Sequence, residues 1–290
     1  MVNYQLYLLE SIQAAIEAGK AILEVYHSEF EVEEKADKSP LTLADRRSHE
    51  VIVNRLLEFD IPVLSEEGKD IPYEERKKWD FYWLIDPLDG TKEFIKKNGE
   101  FTVNIALIFN QQSVAGVIYV PDKNTLFFAS RDLGSFRTDP GQMNRLLEAD
   151  CFKALNDGVL KAENAAIAEA MDRIVGQSTR LPADDSPNHP YTIIGSRSHA
   201  TAELEAIVAE KRREYGEIEF ISAGSSLKFC RVAEGRANIY PRTGPTMEWD
   251  TAAGQAIVEN AGGQVYHYDT LEPLIYNKEN LLNPWFVALN

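Results

Sequence analysis

The chain has 290 residues, is 44% hydrophobic, and carries 30 basic against 46 acidic residues, a formal net charge of −16. That length is ample for one large core or two fused ones. The charge excludes a general nucleic-acid binder, because phosphate backbones repel it, and an anionic small substrate needs local help from metal cations or a few placed Lys and Arg.

The N-terminus MVNYQLYLLESIQ lacks a basic region followed by a long apolar one, so it does not read as a signal peptide. Residues 4–26 instead predict an amphipathic helix, with Leu8, Ile12, Ala15, Gly19, Ile22 and Tyr26 on one stripe. After the charged EVEEKADKSP, TLADRRSHEVIVNRLLEF predicts a second helix, with Thr42 as N-cap and Asp45 at capping-box spacing. IPVLSEEGKD reads as a short strand ending in acids, and FYWLI as a buried strand. EFTVNIALIF, VAGVIYVP and TLFFASR read as successive strands joined by NQQS and PDKN, which is a sheet region and not an alternating βαβ array. Residues 139–190 change character. They are rich in Ala, Leu, Glu and Lys, partly helical in pattern, and break at STRLPADDSPNHP, which reads as an exposed loop. YTIIGSRSH resumes as strand plus turn. TAELEAIVAEKRREYG is a helix, EIEFISAG a strand, SSLKFCRVAEG a helix opened by serines, and ANIYPR a strand. WDTAAGQAIVENAGG is a helix with a Gly-Gly stop, and GQVYHY and WFVALN finish as strands. There is no internal repeat, and no apolar run approaches the roughly 20 residues of a membrane span. Cys151 and Cys230 form no framework and no CxxC pair, which fits a reducing compartment. The expected location is cytoplasmic, with loose association with the inner membrane left open.

Candidate carboxylates come from four separated places: Asp45; Glu66 and Glu67; Asp86 and Asp89; and Asp250. Each alone has a plain structural reading: a capping-box acid, a solvated turn, turn formers around Pro87, and the N-cap of TAAGQAIVENA. Together they suit hard cations such as Mg²⁺, which takes oxygen ligands. In DPLDG, Asp86 leaves a buried strand, Pro87 fixes its own φ and Gly90 permits a sharp turn. One short loop thereby offers two carboxylates and the Leu88 carbonyl. Without cations, such crowding would repel and raise the acids' pKa values.

DPLDGT with WDTAAG far along the chain resembles the signature pair of the magnesium-dependent, lithium-sensitive phosphatase superfamily that includes inositol monophosphatase and fructose-1,6-bisphosphatase. KSPLTLAD, PVLSEE, YWLIDPLDGTKEFIKKNGEFTVNIAL, GSRSH, GSSLKFC and GPTMEWDTAAG are similar, in order, to the bacterial 3′(2′),5′-bisphosphate nucleotidase branch. The resemblance covers nearly the whole chain except 139–190, which is longer than that pattern. It implies an α+β fold, a layered α-β-α-β-α sandwich. It also implies an N-terminal α+β subdomain over 1–138 holding the metal-site loops, an atypical insertion over 139–190, and a C-terminal α/β subdomain over 191–290 with substrate contacts and the last metal ligand.

The resemblance further implies that Glu66, Asp86, Asp89, Asp250 and the Leu88 carbonyl ligate Mg²⁺, more than one ion per site. Asp45 and Thr91 match its water-activating pair. Substrate contacts carried over are Glu66, Leu88, Asp89, Gly90, Thr91 and Asp250 near the reacting phosphate, and Ser196, His199, Ser225 and Lys228 for a second phosphate or the ribose. The plain alternative is that these serines cap helices and that Arg197 and His199 lie on the surface. The remaining histidines lie apart in sequence and suggest no zinc site. The expected activity is hydrolysis of the 3′-phosphate of 3′-phosphoadenosine 5′-phosphate, extending to its sulfated parent, by a monomer or homodimer. An inositol-phosphate phosphatase and a non-catalytic nucleotide sensor are the alternatives.

Overall fold

The computed structural model describes residues 4–34, 40–148, 164–183, 190–196 and 201–290. α1 (Tyr4–Tyr26) spans the expected range, and its stripe from Leu8 to Tyr26 is buried. A two-stranded antiparallel ribbon, β1 (Val32–Glu34) and β2 (Pro40–Thr42), leads into α2 (Leu43–Leu56), capped by Thr42 with Asp45 as its reciprocal partner. Next come β3 (Val63–Ser65), α3 (Tyr73–Arg76), β4 (Phe81–Asp89) and α4 (Thr91–Ile95). The strands β5 (Thr102–Phe109), β6 (Gln112–Val120), β7 (Thr125–Ser130) and β8 (Gly134–Thr138) follow as hairpins. β4 runs four residues past the FYWLI stretch, and β8 is a strand that the sequence pattern did not single out. α5 (Pro140–Glu148), α6 (Asn164–Gly176) and β9 (Thr179–Arg180) lie within 139–190. β10 (Tyr191–Ser196), α7 (Ala202–Tyr215), β11 (Ile218–Ala223), α8 (Leu227–Ala233), β12 (Ile239–Arg242), α9 (Glu248–Asn260), β13 (Gln264–His267) and β14 (Phe286–Leu289) complete the described chain.

Among the described residues, β3 to β9 lie in sequence order in a seven-stranded sheet, with β3 and β4 parallel and the other pairs antiparallel. A five-stranded mixed sheet has the order β11-β10-β12-β14-β13. Both faces of the larger sheet are covered, which is why its strands read as continuous apolar runs. On β4, Trp83 and Ile85 join the cluster built with α1 and α2. Tyr82 and Leu84 join a second cluster shared with α8, α9 and the smaller sheet. Beyond that sheet, Val208 of α7 packs over Ile193, Ile239 and Val287. The layers are therefore α1/α2, sheet, α8/α9, sheet, α7, the α-β-α-β-α sandwich expected.

The segment around Thr179 departs from the exposed-loop expectation. Thr179–Arg180 pairs with β8, and Leu181 is buried. Met143 and Leu146 of α5, and Ile167, Met171 and Ile174 of α6, sit in the same buried cluster as α1. Residues 149–163 and 184–189 lie outside the described residues. Among the described residues, no helix is long and apolar enough to cross a membrane.

The seat of α9 on the larger sheet fixes where Asp250, in its first turn, stands. A Cβ at Gly116 of β6 would stand 2.5 Å from the Ala253 carbonyl oxygen, so only glycine lets helix and sheet approach this closely. Beside it, Ser113 Oγ donates to the Ala252 carbonyl at 2.8 Å. At the helix start, the buried Glu248 carboxylate accepts from the Asn277 and Lys278 amides at 2.6 and 3.0 Å, and from Lys278 Nζ at 2.6 Å.

Candidate active site

The DPLDGT loop is a fault built into β4. Asp86 pairs with Asn104 and Asp89 with Thr102, so three steps on β4 face two on β5. That extra residue is a β-bulge. Pro87 has no N–H for the ladder and sits where the ladder is already broken. Ser48 Oγ of α2 donates to the Pro87 carbonyl at 2.6 Å, and the Leu88 amide donates to Asp86 Oδ1 at 3.0 Å. Gly90 then turns the chain at φ 90° into α4, with no room for a side chain: a Cβ there would stand 3.1 Å from Ser225 Cβ.

The bulge brings the acids together. Asp86, Asp89 and Asp250 each offer a carboxylate oxygen, all within 4.8 Å of one another. Asp250 is the third residue of α9, not its N-cap; its Oδ2 accepts from the Met247 amide at 2.8 Å. Glu66 opens the turn after β3 and hydrogen-bonds Asp86. Burial, then Glu66, Asp89 and Asp250, drive the Asp86 carboxyl well above its usual range. Burial, then Asp89 and Glu66, push Asp250 up to about 8. A hydrogen bond between two carboxyls requires one to be protonated. The cluster thus sheds charge in its metal-free form, and its all-oxygen donor set fits hard divalent cations.

Asp45 serves two purposes. Its Oδ2 accepts from the Thr42 amide and hydroxyl, both at 2.7 Å, which closes the capping box of α2. Its Oδ1 accepts from Thr91 Oγ1 at 3.3 Å. The Leu88 carbonyl is 3.4 Å from the same hydroxyl. The capping and water-activating readings of Asp45 are therefore compatible, one on each oxygen. Glu67 stands one residue on, its amide bonded to Ser65 Oγ at 3.3 Å, and that hydroxyl meets His49 Nδ1 at 2.9 Å.

A cleft opens beside the acids. Asp89, Gly90 and Asp250 line it together with Ser196, Ser225, Lys228 and Arg242. Ser196 ends β10, and Ser225, at φ 45°, has a buried hydroxyl with no hydrogen-bond partner among the described residues. Lys228 is 6% exposed, and its Nζ turns inward onto the Ala223 carbonyl at 3.4 Å and the Ser225 carbonyl. Burial lowers its pKa to about 8 against the pull of Asp89. The carried-over His199 lies outside the described residues, as does Arg197.

Three residues escaped the sequence reading. Arg242, at the end of β12, lines the cleft with a buried Nε that has no partner among the described residues; its only signal was a basic residue closing an apolar strand. Asn104 and Ser226 touch Asp89, at 3.5 and 2.8 Å. Asn104 was legible as the lone amide inside the apolar run TVNIALIF. Ser226 was hidden behind the equally plausible Ser225.

The model of the inositol monophosphatase family matches residues 4–285. The chain is 42% identical over 280 residues to the 3′(2′),5′-bisphosphate nucleotidase CysQ of Escherichia coli (strain K12), covering 94% of this chain and 96% of that protein. It is 41% identical to the protein of the same name from Salmonella typhimurium, covering 96% and 98%. The crystal structure of CysQ from Bacteroides thetaiotaomicron superimposes with a TM-score of 0.82 at 45% identity, covering 99% of this chain and 97% of that one.

Proposed function

This chain belongs to the inositol monophosphatase family, and from that premise we propose that it hydrolyses the 3′-phosphate of 3′-phosphoadenosine 5′-phosphate to AMP and phosphate. The sulfated parent nucleotide is a second substrate of the same reading. One observation carries the choice: the cleft lined by Asp89 and Asp250 of the carboxylate cluster is also lined by Arg242, Lys228 and two serines. A substrate with two phosphates uses both sets of groups. An inositol monophosphate would leave the cationic set without an anion.

The acids Glu66, Asp86, Asp89 and Asp250, with the Leu88 carbonyl, are the groups to hold Mg²⁺, more than one ion per site. Such ions supply Lewis-acid activation of water and charge neutralisation at the leaving oxygen. Phosphoryl transfer then asks the protein mainly for positioning. Thr91 Oγ1 donates to Asp45 Oδ1, which leaves its lone pairs to accept from the attacking water. The water's proton passes to Thr91 Oγ1 as the Thr91 proton passes to Asp45. Thr42 holds the far Asp45 oxygen and stops the carboxylate from swinging away.

Phosphate release is measured from 3′-phosphoadenosine 5′-phosphate and from inositol 1-phosphate, with Mg²⁺ and then with added Li⁺. The expected result is a strong preference for the nucleotide and inhibition by Li⁺. Release from neither substrate overturns the enzymatic reading. Preference for inositol 1-phosphate overturns only the substrate.

A further inference from the structure

Three buried polar groups form one chain of hydrogen bonds ending on the acid cluster. Thr102 Oγ1 donates to Asn104 Oδ1 at 2.9 Å. Asn104 Nδ2 donates to Ser226 Oγ at 2.9 Å. Ser226 Oγ lies 2.8 Å from Asp89 Oδ2 and 3.0 Å from the Asp250 carbonyl. Thr102, Asn104 and Ser226 are 0, 1 and 2% exposed, so water does not substitute for any of these contacts.

The direction of the chain follows from its end. Carboxylate and carbonyl oxygens accept only, so the one Ser226 hydrogen goes to this pair of acceptors, with Asp89 Oδ2 at the shorter distance. Ser226 then presents a lone pair to Asn104, which must answer with its amide NH₂. The Asn104 oxygen consequently faces Thr102, whose hydroxyl must donate. Thr102 and Asn104 thereby each have one workable orientation, and buried networks of this kind specify a single geometry.

The network also joins separate elements. Thr102 and Asn104 belong to β5 of the larger sheet, and Ser226 immediately precedes α8. Asp89 follows the bulge in β4, and Asp250 opens α9. One hydroxyl therefore touches the Asp89 carboxylate and the backbone of Asp250 at once.

We propose that Ser226 is a positioning residue for the cation site: oriented by Thr102 and Asn104, its hydroxyl fixes Asp89 against the first turn of α9. Asp89 Oδ2 is engaged by Ser226, which leaves Oδ1 for a cation. The spacing between the Asp89 and Asp250 carboxylates is set by a contact that carries no charge itself. This inference rests on the reading of Asp89 and Asp250 as cation ligands.

The test is Mg²⁺ and Mn²⁺ binding by calorimetry, without substrate, alongside melting in EDTA. Ser226→Ala is expected to raise the dissociation constant roughly tenfold to a hundredfold, the range for groups that orient metal ligands. Ser226→Thr restores the hydroxyl and recovers most of the affinity. Thr102→Val, which keeps shape but frees Asn104 to flip, gives a smaller rise in the same direction. A melting temperature in EDTA close to that of the parent chain separates positioning from folding. Should Ser226→Ala fail to fold, Thr102→Val decides, and an unchanged constant there overturns the inference. Ser226→Ala that folds and binds as tightly as the parent chain overturns it alone. A parent chain that binds neither cation overturns the ligand reading and this inference with it.

Discussion

The acidic end and the cationic end of the cleft, named for the charge of their lining groups, are built on opposite plans. The acid end comes largely from one bulged strand, where Asp86 and Asp89 stand either side of a Pro-Leu link, joined by Asp250 from α9. The cationic end is gathered from β10, the start of α8 and β12, and its cations are partly committed elsewhere. Lys228 Nζ is spent on the Ala223 and Ser225 carbonyls, and an Arg242 terminal nitrogen donates to the Pro245 carbonyl at 3.0 Å. The acid end concentrates like charge that the bare fold tolerates poorly. The cationic end holds charge that the fold already half-satisfies. Disturbing the first should therefore cost chemistry, and disturbing the second should cost binding.

The largest expected effect is at the acid end. Asp89→Asn keeps the shape but removes a charged ligand, worth several kcal/mol of transition-state stabilisation, so phosphate release should fall on the order of a thousandfold. Melting in EDTA should hold or rise, because one repelling charge is gone. Near-normal turnover would show that the acids are not ligands, and the contrast between the ends would collapse.

The intermediate effect is at the cationic end. Arg242→Ala should raise KM for the bisphosphate by roughly 10- to 100-fold, the cost of losing one charged hydrogen-bond partner of about 1.5–3 kcal/mol. kcat should change little, and a substrate with one phosphate should be turned over as before. A fall in kcat with KM unchanged would move Arg242 from binding to chemistry.

The same contrast explains what could be read from sequence. The acid end was legible because its spacing is dictated by local geometry: strand, proline, glycine, helix start. Thr42 with Asp45, and the DPLDGT run, are short-range patterns. The layered fold was legible through resemblance, whereas periodicity alone gave elements without their stacking. Arg242, Asn104 and Ser226 were not legible as a group, since Asn104 and Ser226 meet across two elements distant in sequence. The end of β4 was misjudged because a bulge continues a strand past the residues that announce a turn. Thr179 to Leu181 read as loop because prolines follow, yet an edge strand accepts a neighbouring proline.

The smallest effect, and the one that sets the two ends against each other directly, is the pH dependence of stability. Asp86 and Asp250 titrate above their usual range, Asp250 at about 8, mainly through burial. A raised acid contributes stability that is full below the unfolded value near 4 and lost as pH rises through the folded value. Lys228 is lowered to about 8, again mainly by burial, so the unfolded chain binds more protons between about 8 and 10.5 and stability rises there. Glu10, raised to about 7 mainly by burial despite its ion pair with Arg55, adds to the fall, and His49, lowered by burial, opposes part of it. Glu10 lies on α1, outside the residues that line the cleft, and acts alike with or without metal. The metal-specific part is therefore the difference between melting in Mg²⁺ and in EDTA, which should be small at pH 5 and widen towards pH 8. Since the acids repel one another and Asp89 and Asp250 are only half-buried, about 1–2 kcal/mol is the scale, or roughly 2–8 °C. A difference that stays constant from pH 5 to 8 would mean that cation binding releases no protons there, and that the acids are already ionised in the bare cluster.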